Sequence, residues 1–109
     1  MTGYLENNRV YVDLPIYGVS EDIKRTIKVQ VDTGFDGSLQ LPFNEAISLG
    51  LILRGTQPYT LADGNTTHVL ICIGNIEIDG SPHLAPIDIT FAGGALLGQA
   101  FLKQVGVTM

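Results

Sequence analysis

The sequence of this 109-residue chain predicts an all-β fold with one or two short helices. Apolar side chains alternate with polar ones, at the period of a β-strand, in residues 9–18 and again in residues 25–32. Asp-Gly pairs at residues 63–64 and 79–80 each lie between strand-like runs. This dipeptide favours tight hairpin turns because both central residues of such a turn need a positive φ. Together these patterns indicate a sheet built largely from hairpins.

The first two predicted strands each present one apolar face. The strand in residues 9–18 carries four apolar side chains at period two: Val10, Val12, Leu14 and Ile16. The strand in residues 25–32 carries three more in the same way: Ile27, Val29 and Val31. The polar residues 18–25, "GVSEDIKR", predict a hairpin connection between the two strands.

The remaining chain alternates short strands with two helix signals. Residues 38–42, "SLQLP", predict a short strand, and Pro42 then opens the best helix candidate, which Gly50 is expected to end. Residues 59–91 contain both Asp-Gly turns and predict two hairpins. The last residues predict a Gly-rich turn, a brief helix over 99–104 and a terminal strand.

The composition suits one packed domain over residues 1–109. Hydrophobic residues make up 45% of the chain and charged residues 16%, a balance typical of globular proteins and not of disordered ones. A chain of this length buries a modest core, so a second subunit would add useful buried surface. The net charge of −5, without a cluster of Lys or Arg, argues against a nucleic-acid partner.

Signals for location and for metal binding are few. The amino terminus has neither a basic nor an apolar segment, and no apolar run reaches membrane-spanning length, so neither a signal peptide nor a membrane partner is predicted. Cys72 is the only cysteine, which excludes an internal disulfide and favours a cytoplasmic location. Its two Ile neighbours indicate a buried thiol. His68 and His83 have no ligand at metal-site spacing, so no metal and no cofactor is expected.

The strongest candidate for chemistry is Asp32, in the stretch "QVDTGFDGSLQLP". It ends a β-branched strand and is followed by two turn-forming glycines. Such an acid either hydrogen-bonds its own turn or presents its carboxylate at the strand end. An apolar-apolar-Gly triplet, residues 96–98, follows later in the chain and leads into the last predicted helix.

These motifs, in this order, resemble the retropepsin-like aspartic peptidases, the single-domain relatives of pepsin. The resemblance covers most of the chain: "VDTG", the hairpin around residues 63–64, "ALLG", and the tail "FLKQVGVTM". The segments "DTGF", "LQLP" and "LADG" are most similar to the small bacterial branch of these peptidases. The resemblance implies a closed acid-protease β-barrel with a flap hairpin over residues 56–72. It also implies a homodimer that cleaves a peptide or protein substrate.

The resemblance also implies roles for individual residues. Asp32 from each subunit would form the catalytic dyad, Thr33 would hold the two acids from beneath, and Gly34 would let backbone approach the reacting water. Residues expected to contact substrate are Phe35, Asp36, Leu97 and the flap tip, Ala62, Asp63 and Gly64. For Asp36 the alternative of capping its own turn stays open, and for the hairpin the alternative of an ordinary surface turn stays open.

Two residues depart from the family pattern. Phe35 stands where relatives usually have Ala, Ser or Thr, so a hydroxyl that would bond the acid is missing, and Phe35 is expected to line a substrate pocket or dry the dyad. Gln99 stands where retroviral proteases have Arg, so Asp36 lacks that ion-pair partner. The predicted function is an aspartic endopeptidase. The alternatives are a catalytically inactive peptide-binding module of the same fold, and a structural domain that does not dimerise through this site.

Overall fold

The computed structural model describes residues 2–106, which form one eight-stranded sheet, two α-helices and a 3₁₀ turn at Glu21–Ile23. The elements follow the chain as β1 (Tyr4–Glu6), β2 (Arg9–Tyr17), β3 (Arg25–Val31), β4 (Leu39–Pro42), α1 (Phe43–Ser48), β5 (Ile52–Thr60), β6 (Thr66–Ile78), β7 (Ser81–Thr90), β8 (Leu96–Leu97) and α2 (Gln99–Gln104). The predicted all-β class with short helices is confirmed. The predicted terminal strand lies beyond residue 106, outside the described residues.

The sheet curls back on itself to form a barrel. Its strand order is β1-β2-β3-β8-β4-β7-β6-β5, and β2 also pairs with β6. That closing contact consists of two residue pairs, Ile16 with Ile76 and Tyr17 with Asn75. Strands β2, β3, β8, β4, β7 and β6 therefore make a ring, whereas β1 and β5 extend from it.

The apolar faces predicted for β2 and β3 line the core. Val12, Leu14 and Ile16 are buried, as are Ile27 and Val29. Val31 is partly buried and packs against the core, whereas Val10 has 38% of its surface exposed. It pairs with Leu5 in the small β1–β2 hairpin, which extends past the ring, so no second layer covers it.

Both predicted helices are present, and both have glycines at their ends. Helix α1 begins directly after Pro42 and ends at Ser48. Gly50 follows two residues later, and its φ of +62° is the left-handed conformation expected of a glycine that terminates a helix. The Gly50 N–H donates to the Ile47 carbonyl at 3.2 Å. Helix α2 occupies the predicted residues 99–104 and buries Phe101 and Leu102 in the core.

The two Asp-Gly turns adopt different conformations. Asp79 and Gly80 both have positive φ, 51° and 84°, which confirms the predicted tight hairpin between β6 and β7. In the β5–β6 turn only Gly64 has a positive φ, of 87°. The prediction of two positive φ angles there was wrong: the connection is wider, with the Leu61 N–H bonded to the Asn65 carbonyl.

The side chain of Asp63 explains this wider turn. Its carboxylate accepts hydrogen bonds from the Asn65 backbone N–H at 2.9 Å and from the Asn65 amide at 3.0 Å. These bonds hold Asp63 in a turn of its own, and Gly64 alone then takes the left-handed conformation.

The sequence patterns missed strand β1. It is joined to β2 by Asn7 and Asn8, whose φ angles are 53° and 63°. Asn tolerates this left-handed conformation better than other non-glycine residues, so the Asn-Asn pair was the available signal for a hairpin turn.

Two further predictions concern the burial of Cys72 and membrane-spanning segments. Cys72 is 8% exposed, which confirms the predicted buried thiol, and burial raises its pKa. Each α-helix has six residues, and within residues 2–106 no helix is long and apolar enough to cross a membrane.

Truncating Ile87 should create a cavity in the barrel core. Ile87 is 0% exposed, whereas Leu84 on the same strand is 62% exposed. We expect Ile87→Ala to lower the free energy of unfolding by about 2–5 kcal/mol. Leu84→Ala, the matched control, should change it by no more than about 0.5 kcal/mol. Urea denaturation followed by circular dichroism measures both, and equal losses would contradict this assignment of the core.

Candidate active site

Asp32 lies where β3 leaves the sheet. Strand β3 runs parallel to β8, with Val31 opposite Leu97, and β8 in turn pairs antiparallel with β4. The Asp32 backbone N–H donates to the Leu97 carbonyl at 2.9 Å, so the ladder continues to this residue. The position of Asp32 is therefore set by the central strands of the barrel.

The Asp32 carboxylate also forms its own turn. Its Oδ1 accepts a hydrogen bond from the Gly34 N–H at 3.0 Å, and its carbonyl accepts one from the Phe35 N–H at 3.1 Å. A Cβ on Gly34 would lie 3.3 Å from Oδ1, which is a tight contact. Asp32 therefore bonds its own turn, and the residue is half-buried.

The loop that follows Asp32 packs against the start of α2. Three backbone N–H groups of residues 98–100 donate to carbonyls of residues 35–38, at 2.9, 2.9 and 3.2 Å. Gly98 has no room for a side chain, since a Cβ there would lie 2.2 Å from the Gly37 carbonyl oxygen and 2.6 Å from that of Phe35. The glycine of the Leu-Leu-Gly triplet thus permits the close contact that holds the loop.

Thr33 and Asp36 point away from the core. Thr33 and Gly34 are exposed in the isolated chain, and Asp36 is exposed two residues further on. Within residues 2–106, Asp36 takes part in no ion pair. Gln99 instead contributes its backbone N–H, which donates to the Phe35 carbonyl at 2.9 Å.

Phe35 lies beside the glycines of its own loop. A Cβ on Gly37 would lie 2.6 Å from the Phe35 ring, and a Cβ on Gly98 would also lie 2.6 Å from it. The ring therefore occupies the space that side chains at these positions would need. Phe35 also lines the adjacent cleft, and its role in a substrate pocket stays a prediction.

A cleft of ≈ 540 Å³ lies between this loop and the β5–β6 hairpin. Residues 34–38 form one wall, Gln57 and Tyr59 of β5 form another, and Pro86 and Asp88 of β7 line the same space. The hairpin tip, residues 62–64, is exposed and does not belong to this lining in the isolated chain. The predicted substrate contacts of Ala62, Asp63 and Gly64 therefore stay predictions.

Leu97 requires a correction. It was predicted to contact substrate, but its side chain is 0% exposed and belongs to the barrel core. Because β8 is a central strand, the side chain of Leu97 points into packed apolar residues. Its contribution to the site is its backbone carbonyl, which binds the Asp32 N–H.

Tyr59 and Asp88 were missed as candidate residues. The Tyr59 hydroxyl donates to Asp88 Oδ2 at 3.1 Å inside the cleft. Burial raises the pKa of Asp88, and the Tyr59 hydrogen bond partly opposes this rise. Burial and, secondarily, the nearby Asp88 charge raise the pKa of Tyr59. The only sequence signal for Asp88 was the alternation of apolar and polar residues along the strand. This alternation places Asp88 on the face opposite to Ile87 and Ile89.

Comparison with known proteins bears on the fold. The structure is similar to the EIAV protease in complex with the inhibitor HBY-793, with a TM-score of 0.75, and the match covers 97% of this chain and 96% of that chain. Sequence identity is 16%, so the similarity concerns the fold. No protein-family model matches the chain, and no curated protein matches its sequence. The predicted retropepsin-like fold is confirmed.

A side chain at residue 98 should disrupt the Asp32 loop. We expect Gly98→Ala to lower the free energy of unfolding by about 1–3 kcal/mol, because the added Cβ collides with backbone atoms that have little freedom to move. Gly94→Ala is the control, since a Cβ there meets no atom within 4 Å. Thermal unfolding compares the two variants, and a Gly98→Ala protein as stable as the control would refute the close contact.

The raised pKa of Asp88 predicts a pH-dependent stability difference. The ordinary value is 3.8, and a raised folded pKa means that the folded protein holds the proton to higher pH than the unfolded chain does. Wild type should therefore lose stability relative to Asp88→Asn as the pH rises through and above 3.8. Denaturation of both proteins at several pH values from about 3 to about 7 measures this difference. A difference that grows in favour of wild type with rising pH would contradict it.

Proposed function

We propose that this chain is one half of a homodimeric aspartic endopeptidase. The observation that carries the proposal is the position of Asp32. It is a half-buried residue at a strand end, its carboxylate is hydrogen-bonded to the cleft-lining Gly34, and the fold is retropepsin-like. The chain contains one Asp-Thr-Gly sequence, whereas the reaction needs two carboxylates on one water molecule. A two-fold dimer supplies the second Asp32, because both subunits then contribute the same surface.

The chemistry follows from two facing carboxylates. Two acids this close share one proton, since both cannot be ionised without strong repulsion, as is general for aspartic proteases. The ionised carboxylate takes a proton from the water as that water attacks the peptide carbonyl carbon. The protonated carboxyl hydrogen-bonds the carbonyl oxygen as negative charge develops on it. The carboxyl that took the proton from water then passes it to the amide nitrogen as the C–N bond breaks, which releases a carboxylic acid and an amine. No covalent bond forms between enzyme and substrate.

The other predicted residues support this dyad. Thr33 and Gly34 are exposed in the isolated chain, as residues at a subunit interface or beside substrate would be. The β5–β6 hairpin acts as the flap, with residues 62–64 covering a bound peptide and excluding bulk water. An extended peptide lies between flap and barrel and borrows strand hydrogen bonds. Phe35 and Asp36 contact the substrate from the opposite wall.

A second candidate is a peptide-binding module of the same fold without turnover. Phe35 in place of a small or hydroxyl residue, and Asp36 without an Arg partner, favour it. The intact Asp-Thr-Gly sequence favours the enzyme. Assignment of residues 1–109 to a single domain, to the small bacterial branch and to the cytoplasm remains a prediction.

Replacing Asp32 by Asn should abolish hydrolysis and preserve the fold. We expect at least about a thousandfold loss of kcat/KM on a peptide library at acidic pH, because an amide can neither take nor share the proton. Asp22→Asn is the control, since Asp22 is an exposed acid in the 3₁₀ turn. Fluorogenic peptides measure the rates. Equal activity in the Asp32→Asn protein would refute the mechanism, and peptide binding without any cleavage by wild type would support the module.

Dimerisation should accompany activity. We expect sedimentation at micromolar concentration to show a dimer, and activity per chain to fall on dilution below its dissociation constant. The two subunits must associate because neither alone holds both acids. Wild-type protein that remains strictly monomeric while it cleaves peptides at Asp32-dependent rates would contradict the shared site.

A further inference from the structure

The Tyr59–Asp88 hydrogen bond joins two strands that are not neighbours. Strand β6 lies between them, with Tyr59 opposite Thr67 and Asp88 opposite Ile71. Thr67 and Ile71 are four positions apart on β6, a span of about 13 Å along an extended strand. The hydroxyl nevertheless reaches Asp88 Oδ2 at 3.1 Å. The β5–β6 hairpin must therefore curl over β7. This curvature places the Tyr59–Asp88 pair beneath the hairpin, inside the cleft.

Asp88 is a carboxylate in that cleft without a positively charged partner among the described residues. It is half-buried, and the Tyr59 hydroxyl is the one protein donor that its carboxylate has within residues 2–106. Asp36 lines the same cleft, and no Lys, Arg or His belongs to the described lining. Arg54 lines a neighbouring depression but makes no ion pair with Asp88. The positive charge that would balance Asp88 is not supplied by the described residues.

The physical consequence is a preference for a cation. A carboxylate that has lost part of its hydration, and has gained one neutral hydrogen bond in return, is stabilised by a positively charged partner. A guanidinium matches a carboxylate with two parallel hydrogen bonds, and a carboxylate held on a strand is already oriented to receive it. Tyr59 occupies Oδ2, and Oδ1 has no protein donor within the described residues.

We infer that Asp88, oriented by Tyr59, is a specificity-determining residue that selects peptides with an Arg or Lys side chain in this cleft. The inference rests on the proposed function, because it assumes that a peptide occupies the space between residues 34–38 and the hairpin. Tyr59 is a positioning residue: it acts through Asp88 by holding one carboxylate oxygen. Asp88 takes no part in the proton transfers assigned to Asp32.

The test compares Arg with its neutral isostere citrulline. The 109-residue chain is used in two measurements. The first is kcat/KM for pairs of fluorogenic peptides that differ only in this residue, which is placed at each position in turn. The second is binding of fluorescein-labelled versions of the same peptides to the Asp32→Asn protein. We expect a preference for Arg of about tenfold or more at one position, as one charge-assisted hydrogen bond provides. Asp88→Asn should reduce it to within about twofold. Tyr59→Phe should reduce the preference in part, by lowering kcat/KM for the Arg peptide more than for the citrulline peptide.

A second Tyr–Asp pair provides the matched control. Tyr4 donates to Asp13 Oδ1 at 3.0 Å, a hydrogen bond of similar length outside the cleft. Asp13→Asn and Tyr4→Phe should keep the full preference for Arg. Thermal unfolding of each variant verifies folding, so a loss of preference in a folded Asp88→Asn protein reports recognition and not collapse.

The outcomes separate this inference from the proposed function. Cleavage without any preference for Arg, or a preference that survives Asp88→Asn, overturns the inference and leaves the peptidase intact. Loss of the preference in Asp36→Asn but not in Asp88→Asn also overturns it. Binding that prefers Arg and requires Asp88, without cleavage by wild type, supports the inference and removes the proposed function. Neither binding nor cleavage of any peptide overturns both.

Discussion

The site is organised by the backbone hydrogen bonds between the Asp32 loop, residues 32–38, and residues 97–100. The hydrogen bond from the Asp32 N–H to the Leu97 carbonyl extends the parallel β3–β8 ladder by one residue, and three further bonds tie residues 35–38 to the start of α2. Gly98 makes this possible because its missing side chain leaves room for the loop carbonyls. The loop is thereby held by the backbone of a central strand and of the start of α2.

The barrel core gives that contact its rigidity. Leu97 is fully buried, and so are Phe101 of α2 and Val29 of β3, so the strand and the helix that hold the loop are both packed in one apolar cluster. The position of the Asp32 loop and the stability of the barrel are therefore closely linked. A cavity near β8 is expected to disturb the Asp32 turn as well as the fold, since protein interiors transmit such strain.

The hairpin shows how the curvature of the sheet creates a cleft. Strand β6 is long enough to pair with β7 in one half and to carry β5 beyond the ring in the other. Because this ribbon curls, Tyr59 meets Asp88 and a groove forms over residues 34–38. In the proposed dimer the same loop faces two partners, the second subunit at residues 32–34 and substrate at residues 35–36. The exposed Thr33 and the unpaired Asp36 are consistent with these separate roles.

Local sequence determined most of the elements, because strand alternation, Asp-Gly pairs and the Pro42 and Gly50 signals act within a few residues. It also picked out Asp32, since a carboxylate followed by Thr-Gly at a strand end is a local feature. Tertiary structure decided what depends on the packing of distant strands. Leu97 was assigned to the wrong environment because no local pattern reveals that β8 is inserted between β3 and β4. Strand alternation placed the side chain of Asp88 on the face opposite to the core. Whether that face meets solvent or a cleft depends on the curvature of the β5–β6 hairpin, whose Tyr59 lies some thirty residues away in sequence. That curvature is fixed only when the barrel closes.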